Sequence, residues 1–132
     1  MKKFRSNCPV SLGLELFGDQ WTLLIIRDLL YKKKCTFKDF SSSQEHISSA
    51  RLADRLSKLE KADFLSKTQH PTNKKVYVYE LKQKGLDLAP IIAEYMNWGY
   101  TYLNEHISEK SKRIVEEFRA NPTEVLNKFK NK

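Results

Sequence analysis

The hydrophobic period of this chain changes twice between residues 36 and 81, and that constrains the fold more than any other feature. Two short amphipathic helical patterns come first, followed by a strand, a basic turn and a tyrosine-rich strand. In the second helical pattern, residues 47–61, Leu52, Leu56 and Leu59 recur at helical spacing. One stripe of that helix therefore packs on a core, while Arg51, Arg55 and Lys58 stay at its edge or outside. The order helix, helix, strand, turn, strand is that of a winged helix-turn-helix, whose second helix is shaped to enter the major groove of a duplex.

The 132 residues, 40% of them hydrophobic, suffice for one core and call for no second domain. Lys and Arg number 24 against 16 Asp and Glu, and the net charge of +8 favours a polyanionic partner, nucleic acid or anionic lipid. Its distribution favours nucleic acid: Lys67, Lys74, Lys75, Lys82 and Lys84 surround the expected wing, with only Glu80 against them. A second basic run, Lys32-Lys33-Lys34, closes the helix expected over residues 21–30, where cations suit the negative helix end. The apolar runs, such as residues 23–26, are far short of the roughly 20 residues that cross a bilayer. Residues 1–10 carry charge without the apolar segment of a secretory signal, so a cytoplasmic protein without membrane association is expected. Cys8 and Cys35 are too few for a disulfide scaffold and lack the paired spacing of a zinc site, so neither metal nor cofactor is expected.

Ahead of the helix-turn-helix, an apolar pattern through Leu12, Leu16 and Phe17 ends at Gly18, and Asp19 is placed to cap the next helix. Trp21, Leu24, Ile25 and Leu29 form one helical face, widened by Leu23, Ile26 and Leu30, so this helix belongs at the centre. Thr36 caps the following short helix, with Phe37 and Phe40 directed inward, and Ser48 or Ser49 caps the next. Residues 65–69 read as a strand, residues 70–74 as the wing tip, and Tyr77, Tyr79 and Leu81 as inward positions of the returning strand. Residues 86–103 carry two apolar sets: Leu88, Ile92, Tyr95, Gly99 and Leu103 form one, and Ile91, Tyr95, Trp98 and Tyr102 the other. A helix apolar over so much of its circumference buries one side in its own domain and the other in a partner, which predicts a two-fold dimer. Beyond it, a helix starts near Ser108, and Asn121-Pro122-Thr123-Glu124 marks the start of a last one.

Several ordered motifs together resemble the HxlR family of bacterial transcription regulators, which are related to the MarR group. They are Cys8-Pro9-Val10, the string from Gly18 to Leu24, Arg27-Asp28-Leu29, Leu52-Ala53-Asp54-Arg55-Leu56 with Leu59-Glu60, and the close Asn97-Trp98-Gly99. The resemblance implies a homodimeric winged-helix regulator, often encoded beside its target, whose cysteine near the N-terminus senses electrophiles or oxidants in some members. Gln20 and Lys82 depart from the pattern, the first where a basic residue is common, the second where Ser or Thr caps the dimer helix. The serine-rich turn ahead of Ile47 is also longer than usual. The expected fold is thus mainly α, a winged helix-turn-helix with a two-stranded wing and N- and C-terminal dimerisation helices. Residues 1–106 form that domain and residues 107–132 a C-terminal helical extension.

On the second helix, Arg51 lies in the first turn and is the candidate to reach a base edge, since arginine pairs two acceptors of guanine. Its alternative is an ion pair with Asp54. Arg55 and Lys58 are placed to meet phosphate or solvent; Ser48, Ser49, Ala50 and the first-turn amides can hold a phosphate. Lys74 and Lys75 suit the minor-groove backbone, or are a plain solvated turn. The partner is then double-stranded DNA bearing an inverted repeat, its half-sites roughly 34 Å apart.

Cys8, beside Lys2, Lys3 and Arg5 and ahead of a helix, is a candidate thiol sensor, with inert packing as the alternative. Cys35 reads as a small buried apolar residue, with a second sensor or resolving thiol as the alternative. His46, His70 and His106 have no metal spacing. Ile91, Ile92, Tyr95, Trp98 and Tyr102 are the expected dimer interface; alternatively Tyr95, Trp98, Tyr100 and Tyr102 line a pocket for an aromatic effector. The reading is a transcriptional repressor of a neighbouring gene, with Cys8 as its sensor. A ligand-controlled regulator and a winged-helix protein-interaction module are the alternatives. No nucleophile–base pair or phosphate-cradling glycine loop points to an enzyme.

Overall fold

The computed structural model describes residues 3–33 and 35–130, with the side chains of residues 129 and 130 excepted. Its elements run α1 Pro9–Phe17, α2 Thr22–Leu30, α3 Phe37–Ser41, α4 Ser49–Lys61, β1 Leu65–Gln69, β2 Tyr77–Leu81, α5 Gln83–Leu86, α6 Ala89–Tyr102, α7 Glu109–Ala120 and α8 Pro122–Lys130. A single 3-10 turn, Asn104–His106, separates α6 from α7. Lys2 and Lys34, which the sequence placed beside Cys8 and in the basic run after α2, lie outside the described residues. Among the described residues no helix is long and apolar enough to cross a membrane.

Helix α2 is the central element, with Ile26, Leu29 and Leu30 fully buried. Leu52, Leu56 and Leu59 of α4 close over it with Phe40, Phe64, Leu65 and Tyr79, and Leu88, Ala89 and Ile92 complete the core. Each such leucine contributes about 1.5–3 kcal/mol by leaving water, and this holds α4 in place despite its polar remainder. Strands β1 and β2 pair antiparallel from Leu65–Leu81 to Gln69–Tyr77. A bridge from Thr36 to Val78 and the bond from the Tyr79 amide to the Cys35 carbonyl, 2.8 Å, tie the start of α3 to this hairpin. The caps follow the sequence: Thr36 and Asp39 form a reciprocal capping box, and the Ser48 hydroxyl accepts from the Arg51 amide.

Four expectations need correction. Phe37 is exposed while Phe40 is buried, because α3 is one short turn and only one aromatic can face the core. Tyr77 is exposed as well, with the Lys67 ammonium 4.4 Å from its ring centre, since the hairpin twists away from the body before its first residue can be covered. The helix expected over residues 86–103 is broken at Asp87–Leu88: Pro90 has no N–H, its ring would strike the Leu86 carbonyl, and α6 starts afresh with Pro90 in its first turn. At its head, α5 begins at Lys82 with no side-chain cap. Finally Trp21 and Leu24 are only half-buried, while Asp28 of α2 is 2% exposed.

Asp28 belongs to a polar network that positions α4. Its carboxylate accepts from the Ser43 hydroxyl at 2.6 Å and from Arg27 Nη2 at 2.8 Å. The Arg27 guanidinium reaches on to both oxygens of Glu45, at 2.9 and 3.0 Å, so the turn ahead of α4 is held to α2 from two sides. At the other end of α2, Asp19 accepts from the amides of Trp21 and Thr22 and from Arg55 Nε on α4, at 2.9, 3.0 and 3.0 Å. Bidentate and charge-assisted bonds of this kind fix geometry as well as energy.

The network sets an acid limit on the fold. Burial opposes ionisation of Asp19, but the Thr22 hydroxyl, the Trp21 amide and Arg55 outweigh it and hold the carboxyl at about 2 against an ordinary 3.8. Arg27 holds Glu45 at about 2 against 4.5, with burial opposing. Both values are depressed in the fold, so their stabilisation is complete above the ordinary values and disappears as the pH falls toward 2. Thermal unfolding followed by circular dichroism should show Tm dropping between pH 4.5 and 2, and the Glu45→Gln variant should start lower and drop less steeply. An equally steep acid limb in that variant would exclude Glu45 from the effect.

Candidate nucleic-acid interface

Burial of the leucine stripe turns the opposite side of α4 to solvent, and its first turn is the most exposed part: Ser48, Ser49, Ala50 and Arg51 are all open. Among the described residues the Arg51 side chain has no ion pair. Asp54, its expected partner, is engaged toward the other end of the helix with Arg55 and with Lys58 Nζ, the latter at 3.2 Å. That pairing, chiefly the bond from Lys58, lowers the Asp54 carboxyl below its ordinary range. Arg51 is therefore an unneutralised guanidinium at the positive end of a helix, where a ligand anion or base edge is favoured.

Arg55 is placed otherwise than the sequence suggested. It is half-buried between Asp19 and Asp54, both carboxylates bonded to its guanidinium. Expected to meet phosphate or solvent, it instead braces α4 against the start of α2. Arg55 sits one turn beyond Arg51 and points to the flank that packs, where two acids compensate it. Lys58 remains exposed, sharing only a surface ion pair of small worth.

The wing divides its lysines in the same way. Lys82 Nζ bonds Asp63 at 2.6 Å, and Lys84 donates to the Ala62 carbonyl at 2.7 Å while lying 4.7 Å from the Phe64 ring centre, so both brace the foot of the hairpin. Lys74 and Lys75 stand at the tip, exposed and, among the described residues, without an ion pair. Asn73 organises that tip: its side chain accepts from the Lys75 amide at 3.1 Å, and its carbonyl accepts from the Val76 amide at 3.0 Å. Between α3, the outer side of α4 and the wing runs an open groove of about 770 Å3, with Phe37, Ser57, Lys67, Lys75 and Tyr77 on its walls.

Helix α6 presents an uncovered apolar surface. Tyr95, Trp98 and Tyr102 are 66%, 59% and 68% exposed, with the Trp98 and Tyr102 rings 5.1 Å apart, and Ile91 lies half-buried beside them. Ile92, expected at the same interface, is 5% exposed and belongs to the chain's own core, because it falls on the opposite side of the helix with Leu88. Tyr100 also leaves the expected aromatic pocket: its hydroxyl donates to Glu116 at 3.0 Å and Arg119 lies 4.4 Å over its ring, both on α7. Val10 and Leu14 give α1 an exposed apolar side of its own.

Cys8 is exposed and occupies the cap position of α1. The amides of Ser11 and Val10 in the first turn hold its thiol below the usual value, without a full hydrogen bond to the sulfur. That cause is the helix start which the sequence offered together with the neighbouring cations; of those cations, Arg5 is paired with Glu15. Cys35 is half-buried, its sulfur 4.0 Å from an Asp39 carboxylate oxygen. The residues that sequence reading missed are Arg27, Asp28, Ser43 and Glu45. A charged pair interrupting the apolar run from Leu23 to Leu30 was the available signal.

This geometry has close parallels. Residues 16–107 match the family model described as HxlR-like helix-turn-helix. The HTH-type transcriptional regulator YodB of Bacillus subtilis is 30% identical over 93 residues, which cover 70% of this chain and 82% of that protein. An uncharacterized HTH-type transcriptional regulator of Mycobacterium tuberculosis, Rv3095, is 29% identical over 71% of this chain, and the match spans only 58% of its length. The crystal structure of reduced YodB superposes with a TM-score of 0.58 at 28% identity, covering 74% of this chain and 95% of that one. A Porphyromonas gingivalis W83 structure assigned to the MarR family gives a TM-score of 0.65 at 28% identity, covering 77% and 99%. With its winged hairpin, its capped second helix and a family match over residues 16–107, the chain belongs to the HxlR-like helix-turn-helix family.

Proposed function

We propose that this chain is a homodimeric transcriptional repressor that grips double-stranded DNA carrying an inverted repeat and releases it when Cys8 is modified. The unpaired Arg51 guanidinium on the open first turn of α4 carries the reading. Arg51 reads a base edge in the major groove; Ser48, Ser49 and the neighbouring amides hold phosphate, and Lys74 and Lys75 follow the backbone beside the minor groove. Tyr95, Trp98 and Tyr102, with Ile91, supply the dimer contact, which sets the distance between the two recognition helices. The structures of YodB include a reduced form and a diamide-treated form, and this supports a thiol-based signal in the present chain. In this chain the step joins two Cys8 thiols as a disulfide, their two electrons and two protons passing to the N=N bond of diamide, which becomes a hydrazine.

Three measurements test this reading. Arg51→Ala should lose discrimination at one base pair per half-site, worth about 1–3 kcal/mol, whereas Lys74→Gln with Lys75→Gln should weaken all sequences and lower the salt-dependence slope of the dimer by about 4, roughly 2 per half-site. Unchanged binding in both variants sinks the assignment. Sedimentation equilibrium should give twice the chain mass for wild type and the chain mass for Trp98→Glu; a wild-type monomer removes the dimer. In gel shifts on DNA flanking its own gene, Cys8→Ser should stay bound in diamide. Release of that variant would exclude Cys8 as the sensing thiol; the alternative reading is a small aromatic effector held in the hollow beside Tyr95 and Trp98.

A further inference from the structure

The C-terminal helices fold back along α6. Val115 and Val125 are buried there, and Arg119 bonds Asn97 and Thr101 of α6. This return brings Lys110 of α7 and Lys128 of α8 to a groove of about 890 Å3, across from Lys32 and Lys33 at the end of α2. The groove also meets Gln44 and Glu45, in the turn that leads directly into the cap of α4. Residues 108–130 lie beyond the family match, so the wall that carries Lys110 and Lys128 is an addition to the helix-turn-helix, while Lys32 and Lys33 belong to it.

Its charge is one-sided. Among the described residues Glu45 is the only carboxylate on its walls, and both of its oxygens are bonded to Arg27. Among the described residues Lys32, Lys33 and Lys110 have no ion pair, and Lys128 has only a 4.0 Å surface pair with Glu124. Lys32 and Lys33 suit the negative end of α2, but Lys110 sits in the first turn of α7, where the helix dipole repels a cation. Lys33 is moreover held at φ 56°, a left-handed conformation uncommon for lysine. Four cations from three elements repel one another unless a polyanion lies between them, and a concave site focuses their field.

We infer that the groove between the end of α2, the turn ahead of α4 and the C-terminal helices is a second phosphate-backbone grip, holding the duplex outside the half-site that α4 enters. The inference rests on the DNA-binding reading. In it, Lys32, Lys33, Lys110 and Lys128 contact phosphates and add affinity without sequence choice.

The test uses the full chain and two fluorescent random-sequence duplexes. One is of roughly ten base pairs, about the length of one half-site, and the other is three times as long. Lys110→Gln with Lys128→Gln should lower the slope of log affinity against log salt by about 4 on the long duplex, two contacts from each protomer, and leave the short one unchanged; Lys110→Arg with Lys128→Arg should match wild type on both. In the same assay Lys74→Gln with Lys75→Gln should lower the slope on both duplexes. If the wing variant loses affinity while the C-terminal variant matches wild type on the long duplex, the inference is overturned and the regulator reading stands. An equal loss on both duplexes overturns the placement outside the half-site. Absence of wild-type binding to either duplex overturns both the inference and the reading beneath it.

Discussion

A carboxylate buried in the apolar centre of α2 governs how this molecule presents its recognition helix. Asp28 is acceptable there because Arg27 and Ser43 satisfy it, and Arg27 is in turn satisfied by Glu45. Isolating a buried charge by removing one partner typically costs about 3–5 kcal/mol, so the segment bearing Ser43 and Glu45 cannot drift from α2 without a large penalty. A leucine stripe alone would hold α4 against the core yet allow it to slide, because apolar contact has little directional preference. The polar network supplies the direction, and Asp19 with Arg55 supplies it again at the far end of α2.

The same division between bracing and presenting runs through all the basic residues. Arg27, Arg55, Lys82 and Lys84 carry charge but spend it inside the molecule, on Glu45, Asp19, Asp63 and the Ala62 carbonyl. Arg51, Lys74 and Lys75 stand outside without such partners. The places of these three cations, on the first turn of α4 and at the wing tip, matter more than the net charge of +8. Helix α6 shows an analogous split: Leu88 and Ile92 are committed inward, while Tyr95, Trp98 and Tyr102 remain uncovered.

Much of this was legible because it depends on neighbours in sequence. The leucine spacing of α4, the Thr36 and Ser48 caps, the bounds of β1 and the start of α8 at Pro122 are local preferences, and the structure keeps each of them. Three of the misreadings share one cause. Phe37, Tyr77 and Ile92 each carry an apolar side chain whose burial depends on what stands opposite, and alternation or helical spacing alone leaves the choice of side open. Arg55 and Asp28 needed partners from Asp19 and Ser43, residues far away along the chain.

The sequence by itself determined the order of elements, the stripe by which α4 packs and the excess of cations near the wing, because periodicity, capping and composition act over a few residues. Tertiary structure alone decided which cations are left unpaired, which side of α6 is open, and that the C-terminal helices bring Lys110 and Lys128 beside Lys32 and Lys33. Those outcomes depend on which distant carboxylate or apolar surface arrives in contact. Desolvation and pairing are settled by proximity in space, which spacing along the chain does not encode.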